Sequence, residues 1–206
     1  MNVTHWYDGL FYDLVIAPHQ DRAFTHVREL IPEGATLLDV GCATGRLALQ
    51  LAGKCGTIDA IDPSMKNIRI AEQALERHPA RNVRFHHADA LQFLDREPGP
   101  FDYATISYMI HEVAETERNR ILHSVSTAAR KIILVDYLVP PPTGTTKVLN
   151  GVVEFLAGAE HFRNFRSFLA GNGLKGIVER AGLSVLSELK NDPPSTHILV
   201  AARKAG

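Results

Sequence analysis

Short runs rich in Val, Ile, Leu, Thr and aromatic residues recur at positions 36–40, 57–61, 83–87, 101–108 and 131–139, and the stretches between them repeat apolar residues at helical spacing. The spacing predicts helices over 46–52, 64–78, 90–94 and 115–130, with another over 23–31 that Pro32 and Gly34 close off. Ser64 and Thr116 stand where two of these helices need N-caps. Strands separated by helices cannot form tight hairpins, so each helix carries the chain back over the sheet and the next strand pairs parallel to the last. Helices then cover both faces.

That rhythm changes towards the C-terminus. After Pro140-Pro141-Pro142 the spacing is helical through Ala181, and two further β-rich runs, 183–189 and 197–202, are joined only by NDPPST. So short a link makes an antiparallel hairpin. The expected fold is α/β: a Rossmann-like, doubly wound, mostly parallel seven-stranded sheet with a C-terminal antiparallel hairpin and helices on both faces. The stretch beyond the prolines is too short for a core of its own, so residues 1–206 read as one domain, with 140–181 as a helical segment on the substrate side. Composition agrees, at 45% hydrophobic and 22% charged.

A net charge of −1 gives no electrostatic ground for a nucleic acid partner. Two cysteines are too few for a disulfide framework, MNVTHWYDGL lacks the basic-then-apolar pattern of a secretory signal, and no apolar run reaches the roughly 18 residues of a membrane span. These features lead us to expect a cytoplasmic protein with a small-molecule partner, no nucleic acid and no integral membrane segment; a homodimer is compatible with them.

Where the first strand gives way to its helix the sequence reads LLDVGCATGRLALQLAGK. In an open parallel sheet, ligands sit beyond the carboxyl ends of the strands where strand order reverses, and the first strand-to-helix turn is the usual contact. Gly41 and Gly45 bracket that turn. Glycine there lets main chain approach a ligand, and the helix start at Arg46 offers N–H groups to a carboxylate or phosphate. The same residues also suit a tight turn with no ligand. Two acids sharpen the picture. Asp62 closes IDAID about 20 residues past the first glycine, where such an acid accepts from ribose hydroxyls, and Asp89 ends VRFHHAD in the same manner. The dinucleotide pattern GxGxxG is not met, because Ala43 holds its middle position, and no Gly-Lys-Ser/Thr comes after it to make a P-loop.

Together, LLDVGCATG, IDAID, HHADA and FDYATISYMIHEV resemble the successive motifs of class I S-adenosylmethionine-dependent methyltransferases. The resemblance covers about residues 37–136 and is closest to the broad group that includes the ubiquinone and menaquinone biosynthesis methyltransferases. The usual turn of that group is GCGTG, from which Ala43 departs by one methyl. The resemblance implies S-adenosyl-L-methionine as the cofactor. It assigns Gly41 and its neighbours Cys42, Ala43 and Gly45 to the methionine moiety, with Asp39 orienting the amino group directly or through water. Asp62 falls to the ribose hydroxyls, and Asp89 with the Ala90 backbone to the adenine. Met65 either stacks on the base, as in this family, or is a core methionine. Residues 1–31, with Trp6, Tyr7, Phe11 and Tyr12, correspond to a helical flap over the donor.

Methyl transfer from a sulfonium is an in-line displacement, so the protein has to align the acceptor and remove its proton. The fourth run ends ISYMIHEV, which places Ser107 beside the cofactor and His111 and Glu112 beside the transferred methyl as general-base candidates. They also suit a cap and a surface acid. No metal site is expected: His86 and His87 are adjacent on a strand and point to opposite faces, and His111-Glu112 has no second His at zincin spacing. Asp192-Pro193-Pro194-Ser195 has the letters of a nucleobase-methylation motif but lies in the terminal hairpin, where it reads as a turn.

The segment EHFRNFRSFLAGNGLKGIVERAGL puts His161, Phe162, Phe165 and Phe168 in one amphipathic helix. Phe162, Phe165 and Phe168 have the spacing of a core stripe, or of an acceptor-pocket wall. Arg163 and Arg166 face water or an acidic substrate, and Gly171 and Gly173 suit a hinge. The leading expectation is methyl transfer to a small organic or lipid- or quinol-like acceptor. The alternative is a non-catalytic S-adenosylmethionine- or S-adenosylhomocysteine-binding accessory or regulatory protein. A nicotinamide oxidoreductase is disfavoured by Ala43.

Overall fold

The computed structural model describes residues 17–97, 99–140, 159–190 and 196–204. The flap aromatics Trp6, Tyr7, Phe11 and Tyr12, Pro141-Pro142 and the Asp192–Ser195 turn lie outside the described residues. In chain order the elements are α1 (Ala17–Leu30), β1 (Thr36–Val40), α2 (Arg46–Leu51), β2 (Thr57–Asp62), α3 (Met65–Arg77), β3 (Val83–His87), α4 (Ala90–Arg96), β4 (Phe101–Ser107), α5 (Glu115–Ala128) and β5 (Ala129–Tyr137). The C-terminal elements are α6 (Ala159–Ala170), α7 (Gly173–Arg180), β6 (Leu183–Lys190) and β7 (Thr196–Arg203).

They form one seven-stranded sheet in the order β3-β2-β1-β4-β5-β7-β6. The pairs from β3 through β5 are parallel, while β7 runs antiparallel to β5 and to β6. From β1 the chain winds outward through β2 and β3, then returns to β4 on the other side of β1. The order therefore reverses between β1 and β4, and a crevice opens beyond their carboxyl ends.

Alternation along the strands divides the core. Leu38, Val40, Ile132 and Leu134 pack on one face with Leu122, Val125, Phe168 and Ile177; Leu37, Ile133 and Val135 pack on the other with Val27, Leu47, Leu51 and Ile68. Both faces are covered, which is why these strands read as apolar runs rather than as apolar–polar alternation. The last strand in the sheet differs: β6 exposes Val185 and Leu186 at a register shift between Val185 and Ser187, an irregularity of the kind that blunts an open edge.

Ser64 caps α3 as expected, accepting from the Asn67 N–H at 3.3 Å, a contact that contributes about 1 kcal/mol. Thr116 does not cap α5. That helix begins at Glu115 after Ala114, which offers no side-chain cap, and Glu115 and Glu117 supply negative charge to the first turn instead. Helix α5 ends at Ala128 because Ala129 is already extended (φ −124°, ψ 143°), so β5 starts before residue 131. On α6 the buried positions are His161, Phe165 and Phe168, while Phe162 is only partly buried. A stripe at i, i+4 and i+7 faces the sheet, and a histidine occupies the place expected for Phe162.

Candidate active site

The turn after β1 is held by main chain. Gly41 and Cys42 both donate N–H to the Ile61 carbonyl, at 2.9 and 3.0 Å. Gly41, Ala43 and Gly45 have φ of 73°, 47° and 79°. Gly45 owes its identity to packing, because a Cβ there would lie 2.5 Å from Phe85 Cζ; a Cβ on Gly41 would lie 2.8 Å from Met109 Cγ. Ala43 holds a left-handed conformation that costs a residue with a Cβ about 1 kcal/mol or more. Its N–H donates to Asp62 Oδ2 at 3.0 Å.

Asp62 thus ties the turn to the end of β2. Its other oxygen accepts from Ser64 N at 2.8 Å and Asn67 Nδ2 at 3.4 Å. Met65 comes next, at the start of α3, and is 37% exposed, which removes the core-methionine alternative. Asp89 is exposed and caps α4, accepting from Leu91 N at 2.9 Å and Gln92 N at 3.4 Å, with Ala90 buried behind it.

Asp39 is the unusual acid. Parallel register sets it beside Ala60 and Thr105 at the centre of the sheet, and the Thr105 hydroxyl donates to Oδ1 at 2.7 Å. Its Oδ2 is buried with no hydrogen-bond partner among the described residues. Burial pushes its pKa up to about 7; the Thr105 hydrogen bond opposes this and the Asp62 charge adds to it. Burial, with Asp39 and Asp62 nearby, likewise pushes the Cys42 thiol well above its ordinary range. Ser107 Oγ, at the end of β4, is a second buried polar atom without a partner among the described residues. An orphaned carboxylate oxygen, an orphaned hydroxyl and a main-chain turn lie at the carboxyl ends of neighbouring strands. They fit a ligand with a cationic amino group and a hydroxylated ring, as in the cofactor that the sequence implies.

The loop after β4 carries the base candidates. His111 is almost fully buried, and its Nδ1 lies 2.7 Å from Oδ1 of the fully buried Asp136. The His111 N–H reaches the other Asp136 oxygen at 3.3 Å. A carboxylate can only accept, so Nδ1 carries a proton, and in the neutral ring the lone pair is on Nε2. That nitrogen is 3.9 Å from Oε1 of the half-buried Glu112. Tyr137, His161, Phe165 and Phe168 enclose the imidazole, with ring centroids 4.9, 5.8, 5.9 and 6.1 Å away. The loop is fixed from below by Arg118, one of the largest fully buried side chains, whose guanidinium donates to the carbonyls of Ile110, His111 and Asn164.

Sequence reasoning missed Asp136, Arg118 and the arrival of His161 beside His111. Asp136 stands inside a run that reads as strand, and Ser107 pairing with Val135 puts it just past the end of β4. Gly173 packs against Val139 and Gly171 against Arg180, a close-fitted turn where a hinge was expected.

Residues 37–131 match the family model described as a methyltransferase domain. The matched segment spans just under half of the chain and is similar to methyltransferase domains. The chain is similar to a demethylmenaquinone methyltransferase of Bacillus licheniformis, 36% identical over 88 residues, covering 41% of this chain and 37% of the relative. It is also similar to a 2-phytyl-1,4-naphtoquinone methyltransferase of Nostoc sp., 32% identical over 112 residues, covering 52% and 48%. The chain thus spans less than half the length of these curated relatives. Among solved structures, magnesium protoporphyrin IX methyltransferase of Synechocystis PCC 6803 with bound S-adenosylhomocysteine shares the fold, with a TM-score of 0.62 at 20% identity over 95% of this chain and 88% of that one. The β1 and β2 ends form one side of the crevice and the β4 and β5 ends the other. No helix among the described residues is long and apolar enough to cross a membrane.

Proposed function

We propose that the chain transfers the methyl group of S-adenosylmethionine to an ionisable hydroxyl of a small, quinol-like aromatic acceptor, with His111 as general base. The observation that carries this reading is the His111 Nδ1 to Asp136 contact of 2.7 Å, buried at the carboxyl ends of β4 and β5.

The donor, when bound, supplies an electrophilic methyl on a positively charged sulfonium. Asp39, the Gly41 to Gly45 main chain, Asp62 and Ser107 would hold it, with Met65 and Asp89 at the base end. Asp39 Oδ2 would meet the amino group, because a cation is the partner that a buried carboxylate oxygen lacks. Across the crevice, His111 Nε2 takes the hydroxyl proton as the acceptor oxygen becomes the nucleophile. Asp136 holds the ring by Nδ1 and stabilises the positive charge the ring gains, and Glu112 at 3.9 Å acts in the same direction. An aromatic acceptor suits a wall of Tyr137, Phe165 and Phe168 around that base. The quinone-ring compounds in the names of the two relatives support the same acceptor class.

The test is S-adenosylhomocysteine formation over a panel of catechols and hydroquinones, with calorimetry of S-adenosylhomocysteine binding alongside. His111→Gln should lower kcat by about 10²-fold or more, the range of a lost general base, and leave that binding unchanged. Turnover by His111→Gln at the wild-type rate would remove His111 from the chemistry. Tight binding without turnover on any acceptor would favour an accessory, non-catalytic role.

A further inference from the structure

The fold assembles a group that no local motif shows. His111 and Glu112 come from the loop after β4, and His161 comes from the first turn of α6, about fifty residues on. One ligand atom from each, two imidazole nitrogens and a carboxylate oxygen, all lie within 4.8 Å of one another. Glu112 Oε1 is 3.9 Å from His111 Nε2 and 4.0 Å from His161 Nε2. The geometry points to a divalent transition-metal site made by His111, Glu112 and His161, with Asp136 as the outer carboxylate that orients its first histidine.

Four features support this assignment. The ligand set, two histidines and one carboxylate, suits zinc and its first-row neighbours and leaves a position open. Tetrahedral ligands with bonds of about 2.0–2.1 Å sit roughly 3.4 Å apart, so closure needs shifts of only about half an ångström to 1.5 Å. Glu112 is half-exposed and can take up the half-ångström shifts, whereas the gap between the two imidazoles closes by movement of His161, because His111 is held by Asp136. Next, the Nδ1 contact with Asp136 is the second half of a carboxylate–histidine–metal arrangement: it favours the tautomer whose neutral ring has its lone pair on Nε2. Third, His161 is buried on the inner face of its helix, with Nε2 4.0 Å from Glu112 Oε1 and its ring 5.8 Å from that of His111. Finally, two carboxylates, Asp136 at 2.7 Å and Glu112 at 3.9 Å, flank the His111 imidazole, negative charge that a cation balances.

Metal capture would use the same Nε2 lone pair that proton removal needs, so the two roles of His111 exclude each other at any moment. Metal binding does not depend on methyl transfer, and it is read directly rather than through turnover. Untagged, chelator-treated chain is titrated with Co2+ and followed by visible d–d absorption, then with Zn2+ by calorimetry. One equivalent should bind and produce tetrahedral- or five-coordinate-type bands. His161→Gln and Glu112→Gln should each weaken Zn2+ binding by at least tenfold, while His87→Gln on exposed β3 should have no effect. Unchanged thermal unfolding of the metal-free variants guards against loss of fold. Absence of d–d bands in the wild type overturns the assignment, as does equally tight Zn2+ binding by His161→Gln.

Discussion

Replacing Asp39 with Asn should make the fold more stable at pH 8 and less able to bind its ligand. Asp39 is 1% exposed, and its Oδ2 has no partner among the described residues. Burial raises its pKa from the ordinary 3.8 to about 7. That difference of about three units corresponds to roughly 4 kcal/mol, at 1.36 kcal/mol per unit. The sign comes from proton binding. Between those two values the native state holds a proton that the unfolded chain has released, so stability falls as pH rises. The contribution is fully present below 3.8 and gone once the pH has passed through about 7. From pH 5 to pH 8 the wild type should lose roughly 2–3 kcal/mol from this group alone. Asn does not titrate, and its oxygen can keep the Thr105 hydrogen bond, although its amide nitrogen inherits the missing partner at a cost of about 1–3 kcal/mol. The net expectation is a variant more stable than wild type by about 1–3 kcal/mol at pH 8, with the gap vanishing or reversing by about pH 5. Urea unfolding of both proteins at a series of pH values measures it, and the difference between the two curves isolates Asp39 from every other titrating group. Parallel pH profiles, or a variant weaker than wild type at pH 8, would refute the reasoning. A ligand amino group would supply the missing charge partner, so binding should release a proton below about pH 7 and strengthen as pH rises towards it. Calorimetry in buffers of different ionisation heat detects that release, and Asp39→Asn should abolish it.

Three further substitutions test the packing beneath the site. Ala43→Gly relieves a left-handed alanine while keeping its N–H on Asp62, and should raise stability by about 0.5–1 kcal/mol, read as a Tm increase of roughly 1–4 °C. Gly45→Ala should cost about 2–4 kcal/mol in urea unfolding, because φ is 79° and the added Cβ would stand 2.5 Å from Phe85 and 2.9 Å from Ala71. Arg118→Leu leaves the carbonyls of Ile110, His111 and Asn164 without their donor; a loss of about 3 kcal/mol or more is expected, with a larger fall in turnover than in cofactor affinity.

The sheet was legible because its signal is periodic and local. Strands buried on both faces leave apolar runs, and helices between them leave a different spacing, so β1 through β5 stand in the sequence where they stand in the fold, within a residue or two at the ends. Boundaries failed where a cap depended on geometry: Thr116 has the chemistry of a cap, but α5 starts at Glu115, and Ala114 in front of it needs no side chain to do so. The acids at 39, 62 and 89 were visible for the same reason as the strands, since each lies in or closes a β-rich run. Their partners were not visible. That Asp62 holds Ala43, and that Asp89 holds its own helix, are facts of main-chain direction that residue types do not carry.

The residues that sequence reasoning missed share one property: their neighbours come from other segments. Arg118 looks like a solvated helix charge until α6 packs over the loop and brings Asn164 to it. His161 takes the first place in a stripe whose other two members, Phe165 and Phe168, stand where the spacing puts them. Asp136 is the instructive case, because register would have found it. Parallel pairing of β4 with β5 sets Ser107 beside Val135, so the residue after Val135 has to emerge next to the chain leaving β4. Four residues further along that chain is His111, which turns back within reach of Asp136. Given two adjacent parallel strands, an acid one step past the pairing and a histidine a few steps beyond the other strand are neighbours by construction. The catalytic pair proposed here therefore follows first from strand order, and Arg118 with Asn164 then holds the loop that completes it.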